Sequence, residues 1–493
     1  MYVRLTEGVG ADDESDAPRG LETSGVQEGV RNVSSHRLGV VAVLAAAILL
    51  PVSAGHAQGP GANSNFAALP GLSRTQQITA AAIQRVCEQL SQVTQQTSAQ
   101  MDLSARCGEM VTNSNALQGS GPTSPGLGLT TEGLAAVVSR IAPDEVASQG
   151  TGAVELSSKQ FQALAGRLAS LRAGAPGLSL TGLKLDFGGK SLTADRLLGQ
   201  PEQGGGASAD PVGGGRFGLF ATASYAFGDK DGTTREVGFD YDSWSVIAGV
   251  DYRLTPNLII GLAGSYTSSD ADLDHVLGST ETKSYGVTLY ATYYVGAFYA
   301  DLFGGYTYNK YDTIRKIVYT GVNREAQGDT HGNQFTVGAG GGYVFQFGAL
   351  SATPYGRIEY LNLDIDGYTE RGATGLDLTV KGQSVESLQT ALGATVAYAI
   401  SLPFGVLQPQ VRAEWRHEFM NDSRSVTAKF TNDPFNTFFA IPTNAPDRDY
   451  AGVGAGLTAL FKHGVLAFVN YETVLGLKDV SHHEFTGGIR VEF

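Results

Sequence analysis

Several things are scarce in this chain of 493 residues. It has two cysteines, two tryptophans, only 34 lysines and arginines against 48 aspartates and glutamates, and no run of eighteen apolar residues. The resulting formal net charge of −14 excludes a nucleic-acid binder that works through a basic surface. The missing apolar run excludes a helical membrane protein. It does not exclude a membrane β-barrel, whose strands alternate apolar and polar positions and so average to near-neutral hydropathy. Histidine is absent between His56 and His275, so that stretch cannot build a Ser-His-Asp or Cys-His arrangement. Two cysteines without a histidine are also too few soft ligands for a closed zinc site. No catalytic, cofactor-binding or metal-binding residues are expected.

What is abundant is glycine, at 65 residues, with 21 tyrosines and 22 phenylalanines. Near the start, Arg31 and Arg37 precede a thirteen-residue apolar stretch at 38–50, Pro51 breaks it, and small residues lead to Ala57. This is the pattern of a secretory signal peptide cleaved after Ala57, too short to span a bilayer as an anchor. Residues 1–30 are acidic and polar, the wrong flank for a signal. They suggest a start at Val30 or an N-terminal extension of the signal. Cys87 and Cys107 both follow the signal, and in an oxidising compartment they can pair. The expectation is a disulfide between two antiparallel helices, with two buried free thiols as the alternative.

Residues 58–150 are expected to form a small helical domain. "SRTQQITAAAIQRVCEQLSQVTQQTSAQ" places Ile78, Ile83, Val86, Leu90 and Val93 on one stripe. A second short helix carries Leu103, Cys107 and Met110, and "TTEGLAAVVSRIA" forms a third. Residues 151–215 make a linker. It contains the helical "SSKQFQALAGRLASLRAG", closed by Gly174, then a strand near 178–187 and a flexible glycine-rich part.

From Arg216 the period becomes two and stays there. "SWSVIAGVDYR" places Trp244, Val246, Ala248, Val250 and Tyr252 on one face, and "SYGVTLYATYY" does the same with Tyr285, Val287, Leu289, Ala291 and Tyr293. Twelve such segments begin near residues 216, 239, 257, 281, 297, 331, 350, 385, 406, 448, 465 and 483. Short turns ("LTPN", "VGA", "FGA", "LPFG", "KHG") alternate with longer polar connections, including "SSDADLDHVLGSTETK" and a stretch at 421–449. Short turns on one rim and long loops on the other are the arrangement of an outer-membrane barrel with periplasmic short turns. A soluble β-sandwich is the alternative. The fold class is therefore mainly β: a C-terminal, 12-stranded antiparallel transmembrane barrel at 216–493, with a short helical N-terminal domain. The final stretch, "EFTGGIRVEF", is a strand expected to pair with the first, "RFGLFATASYAFG", because lipid leaves no unpaired backbone group tolerable.

The aromatic first strand, the Gly-Asp turn and the following "GVDYRLTPNLIIGLAGSY", together with the closing "GGIRVEF", resemble the autotransporter β-domain family. The resemblance covers residues 216–493. It implies an outer-membrane translocator that carries its own passenger to the cell surface, with a helix inside the pore. It also implies insertion by the barrel assembly machinery with periplasmic chaperones, recognised through Ile489, Val491 and Phe493. In "SSKQFQALAGRLASLRAG", Arg167 and Arg172 would meet the inward Asp251 and Asp301. The alternative is an ordinary helix of the passenger's own core. The sequence departs from the family in its short passenger and in lacking paired asparagines for self-cleavage. Esterase passengers are known in the family, but no G-x-S-x-G or Gly-Asp-Ser-Leu block occurs.

The function expected is export of a small surface-binding passenger. A hydrolase passenger, and a structural barrel with a periplasmic helical domain, are the alternatives. The partners are outer-membrane lipid, the assembly machinery and an unnamed surface ligand, with no nucleic acid. Three smaller features have bland readings: His482-His483-Glu484 as part of the last surface loop, "DADLD" as a solvated loop, and Gly452, Gly454 and Gly456 as room on a barrel face.

Overall fold

The computed structural model describes residues 63–146, Leu168, 184–187, 190–193, 217–461 and 465–492. The signal segment with Ala57, the Arg167 and Arg172 positions, the glycine-rich linker, the "KHG" turn and Phe493 lie outside the described residues.

Twelve long strands form the barrel: β1 (Phe217–Lys230), β2 (Phe239–Thr255), β3 (Leu258–Leu273), β4 (Gly278–Val295), β5 (Phe298–Tyr319), β6 (Val322–Tyr343), β7 (Leu350–Ile365), β8 (Gln383–Tyr398), β9 (Gly405–Glu418), β10 (Asp449–Phe461), β11 (Val465–Leu475) and β12 (Val480–Glu492). Each pairs antiparallel with its neighbours in sequence, and β12 closes the ring on β1. In that closing ladder Val491 sits opposite Leu219, Ile489 opposite Ala221 and Phe485 opposite Tyr225. Closure leaves no sheet edge in the ring, which is the condition for strands to cross hydrocarbon.

The period of two separates two environments. Leu219, Val246, Val287, Leu289, Leu302 and Ile489 point out of the barrel and are exposed, as a lipid-facing belt requires. Phe220, Ile247, Asp251, Tyr290, Phe303, Glu359 and Glu414 point inward and are buried. The connections at 256–257, 296–297, 348–349 and 403–404 are tight, with Gly296 and Gly348 at positive φ.

On the other rim the strands run on past the membrane. About ten residues cover the hydrocarbon core in a tilted strand, yet β5 and β6 have 22 each and meet at a tight turn around Gly321. "SSDADLDHVLGSTETK", expected as a loop, is mostly strand: β3 reaches Leu273, β4 starts at Gly278, and only 274–277 turns. His482 and His483 likewise lie in β12 and not in a loop. Pairing between neighbouring extensions satisfies their backbone groups, so the polar composition that suggested a loop marks only emergence from lipid.

The stretch at 421–449 is also structured. Ser425–Phe430 and Phe439–Pro442 pair with each other, and the former pairs with Leu378–Val380, which pairs with Tyr368–Thr369. Val426, Ala428, Phe430, Phe439 and Ile441 line one buried face of this small sheet.

Three helices share a core with that face: α1 (Arg74–Leu90), α2 (Ser98–Gln118) and α3 (Thr131–Ser139). The segment expected as one helix over 73–100 breaks at Ser91, and α2 is longer than expected. Two capping boxes set the boundaries. The Ser73 hydroxyl accepts from Gln76 N while Gln76 Oε1 accepts from Ser73 N, and Thr97 and Gln100 repeat the pattern. Ile83, Val86, Leu90, Leu103, Met110, Leu134 and Val138 are fully or almost fully buried. They share one core with Leu376, Leu378, Val426, Phe430 and Ile441 of the loops and with Ile317 and Val322 of the β5–β6 tip. The helical region is thus one half of a composite domain whose other half is barrel loop. Cys87 and Cys107 are disulfide-bonded and join α1 to α2, with a Cα–Cα distance of 5.7 Å.

Replacing both cysteines by serine opens a closed loop spanning a sequence separation of 20 and is expected to lower the stability of the helical half by about 3 kcal/mol. Pulse proteolysis of the full chain in detergent, reading loss of the 63–146 region against urea, measures it. An unchanged midpoint would show that the crosslink adds nothing to the folded core.

Candidate functional site: the lumen and its helical cap

The lumen has two unlike walls. On β7, β9 and β11 three arginines and three glutamates interlock. Arg357 donates to both oxygens of Glu414 at 2.7 and 2.8 Å and its Nε lies 2.7 Å from Glu359. Arg416 joins Glu414 at 2.6 Å to Glu472 at 2.9 Å, and Arg412 also pairs with Glu472. The Tyr355 hydroxyl donates to Glu414 at 2.6 Å. The wall is polar but carries no net charge among these six groups. Gly452 and Gly454 of β10 face it, while Gly456 faces Asn470 and Gln410, and a Cβ at Gly452 would stand 3.2 Å from the Arg416 guanidinium. The glycine parity read in the sequence therefore leaves space for this network.

The other wall is apolar: Phe220, Ile247, Ile259, Ala263, Tyr290, Tyr294, Tyr299 and Phe303, from β1 to β5. Leu168, helical and with no exposed surface, packs into this cluster. Asp251, buried, and Asp301 lie on the inward parity of β2 and β5.

Above the lumen the cap is fastened by two arginines from one hairpin. Arg315 of β5 is 2% exposed. It forms a bidentate pair with Glu370 at 3.0 and 2.5 Å. Its remaining donors reach the carbonyls of Arg140, at 3.0 Å, and Ile141 at the end of α3, and of Leu376. Arg324 of β6 grips Asp102 of α2 at 2.5 and 2.8 Å, and Gly375 N also donates to that carboxylate at 3.0 Å. The hydrogen bond and charge of Arg324 hold the Asp102 carboxyl below its ordinary pKa. Further contacts tie Thr75 to the Arg235 carbonyl, Thr437 to Gln89 and Thr280 to the Glu145 carbonyl.

Glu145 is 1% exposed. Burial, and then the nearby Glu370 charge, push its carboxyl up to about 8 against the pull of Arg315. One guanidinium therefore serves two carboxylates, and burial favours the protonated form of the second.

The lumen expectation concerning Arg167 and Arg172 lies outside the described residues, although Leu168 beside Arg167 is in the lumen. Ile489 faces outward at 58% exposure and Val491 shares its parity. His482 Nδ1 is 2.7 Å from the Tyr241 hydroxyl and His483 Nδ1 is 2.8 Å from the Tyr471 hydroxyl, so each ring has a strand neighbour. Sequence reasoning missed Asp102, Arg315, Arg324, Glu145 and Glu370. The available signal for Arg315 was its inward parity in "DTIRKIVY", a charge where the pattern calls for a filled interior.

The chain leaves the cap at Val146, on the long-loop rim, and enters β1 at Phe217, on the short-turn rim. Residues 219–472 match the Autotransporter beta-domain family. The chain belongs to the autotransporter β-domain family. It is accordingly a barrel of the Gram-negative outer membrane. Membrane lipid and general barrel-assembly machinery are its setting, and the barrel itself is not catalytic.

Among curated relatives, Outer membrane protein A of Rickettsia conorii is 28% identical over 258 residues, 49% of this chain and 12% of that protein. Esterase EstA of Pseudomonas aeruginosa is 27% identical over 218 residues, 43% of this chain and 33% of that protein. The chain thus spans a third or less of these relatives. The translocator domain of autotransporter NalP from Neisseria meningitidis is 18% identical, with a TM-score of 0.46, covering 57% of this chain and 89% of that one.

Two predictions follow from the seam. Arg315→Met leaves Glu370 buried without its cation, which costs on the order of 3–5 kcal/mol; hydrogen exchange in α3 is expected to rise while the barrel ladder stays protected. Because the Glu145 pKa is raised, the folded state holds one more proton than the unfolded one between the ordinary carboxylate range and about pH 8. The contribution of this carboxyl to cap stability is then greatest below that window, falls as pH rises through it and levels off above it; Asp144 beside it, pushed up to about 7 by burial, acts in the same sense, and the lowered Asp102 acts in the opposite sense at acid pH. Glu145→Gln is expected to flatten this dependence, measured as cap protease resistance from pH 5 to pH 9. An equally steep fall in the variant refutes the assignment.

Proposed function

We propose that this autotransporter passes its N-terminal domain through its own lumen and keeps it docked on the surface rim as a binding domain. One observation carries the reading. The segment between Val146 and Phe217 must connect opposite ends of a closed barrel, and Leu168 within it is buried on the lumen wall. A polar, glycine-rich connection cannot run through lipid with unpaired backbone groups, so the lumen is the remaining path. The residue near 168 then belongs to a pore helix, and Arg167 and Arg172 are placed to face Asp251 and Asp301. A helix is roughly 10–12 Å across, a fit for a small barrel.

Retention on the rim is supported by the shared core of helices and loops and by the absence of paired asparagines in the linker. A binding role is supported by the lack of histidine from 57 to 274. EstA and an extracellular serine protease of Serratia marcescens are named as enzymes, and a hydrolase passenger here would need a site without histidine. Ile489 and Val491, on the outward row of the closing strand, with Phe493 at its end, serve as the signal read by the assembly machinery.

Met101 of α2 is 55% exposed. Met101→Cys is expected to react with a membrane-impermeant maleimide on intact cells. Labelling only after permeabilisation would place the cap in the periplasm and overturn the export reading. Independently, Phe493→Ser is expected to lower the amount of heat-modifiable barrel in the outer membrane several-fold under native expression. Unchanged levels would remove the signal role.

A further inference from the structure

The tip of the hairpin at 431–438 stands a dozen residues from β9 and about ten from β10 along the chain, and it is built to hold two aromatic rings out in water. Phe435 is 49% exposed and Phe438 39%, although Phe430 and Phe439 beside them are buried in the core. The rings are not loose. Asp433 is 3% exposed and accepts hydrogen bonds from Phe435 N at 2.9 Å and Thr437 N at 2.5 Å. Phe438 N donates to the Asn436 carbonyl at 2.9 Å, with Asn436 at φ 56°. Asn432 donates to the Thr374 carbonyl and Thr437 to Gln89, which fastens the tip to the cap. A buried carboxylate committed to a turn fixes the outward course of the backbone, and exposing rings on a rigid loop is unfavourable unless something covers them.

Two cations stand over the same ring. Lys381 Nζ is 4.0 Å from the Phe438 centroid and Lys429 Nζ is 5.8 Å. Lys429 also donates to the Asn436 side chain at 2.5 Å. Among the described residues no carboxylate pairs with either lysine, in a chain of net charge −14. Beside them the hydroxyls of Thr369, Thr379 and Thr431 form a row at 3.3 and 3.0 Å spacing. An exposed aromatic ring to stack on, ammonium groups without a carboxylate partner and neutral hydroxyl donors are jointly complementary to a sugar chain bearing anionic groups. The Phe435 ring meets the apolar C–H surface of the sugar, and the lysines seated over Phe438 meet its carboxylate or sulfate.

We propose that the face made by Phe435, Phe438, Lys381 and Lys429 binds an acidic polysaccharide. This names the ligand class for the binding role proposed above and rests on that role. The test uses the purified full-length chain in detergent, so its result does not depend on which side of the membrane the cap occupies; the maleimide experiment decides that question separately. The probes are immobilised heparin and polygalacturonate, with neutral dextran as control and anionic phosphatidylglycerol vesicles as a competing surface.

Salt-sensitive binding to at least one acidic glycan and none to dextran is expected. Phe435→Ser/Phe438→Ser and Lys381→Glu/Lys429→Glu should each weaken it tenfold or more, with heat modifiability and protease resistance of the cap unchanged. Should a double variant lose the cap fold, Lys381→Gln/Lys429→Gln, which removes charge alone, replaces it. Binding to neither glycan, equal binding by the variants, or binding to the vesicles alone overturns the proposal.

Discussion

Everything in this molecule depends on backbone pairing in lipid. Hydrocarbon offers no partner for an N–H or a C=O, so a sheet that enters it must close on itself. Antiparallel closure fixes the even strand count, brings β12 beside β1 along thirteen paired positions, and sets the start of β1 and the end of β12 at the short-turn rim. The same closure makes the N-terminal domain a topological problem. A domain found at the opposite rim is connected to β1 by a chain that has to cross, and the apolar lumen wall around Leu168 is a surface on which it can do so. The neutral Arg–Glu wall opposite supplies rigidity without a net charge that would attract or repel a passing segment. A fully paired network of this kind is worth most as a fixed geometry, since each charge already has its partner.

The barrel was legible in the sequence because lipid imposes a simple rule. Alternation had to be strict wherever a strand crossed, so Trp244–Val246–Val250 and Tyr285–Val287–Leu289 showed their faces directly, and strand count and closure followed. Outside the bilayer that rule lapses. "SSDADLD" and "SVTAKFTNDPFNTFFAIP" are strand or tight turn, but their polar positions meet water and neighbouring strands instead of lipid, so composition read them as loops. The weaker signals were present. Val426, Ala428 and Phe430 alternate, and "TSAQ" at 97–100 is a capping box that splits the helix expected to run on past Leu90.

The seam was not legible. Arg315 meets Glu370 across 55 residues and the Arg140 carbonyl that follows α3 across 175, and a pairing of that span has no local signature. Nor does a buried carboxyl such as Glu145, which looks like any acidic residue after a helix until the neighbouring Arg315 and Glu370 are in place. Positions that escape sequence reasoning here are those whose environment comes from two distant parts of the chain.

That shared environment bears on the order of events. The helical region alone offers Ile83, Val86, Leu103, Met110, Leu134 and Val138 to a core, but it lacks the sheet that covers them. The loops lack the helices. Neither half buries its apolar face unaided, and a small domain depends on every element of its core. On the export reading, the N-terminal region before the two halves meet is an incompletely packed chain, which a narrow lumen can pass more readily than a finished domain. After they meet, Arg315 and Arg324 lose water and gain partners in one step, and reversal would expose buried charges and the common core together. On the export reading, docking at the surface rim is what makes passage directional, because the favourable contacts exist on one side only.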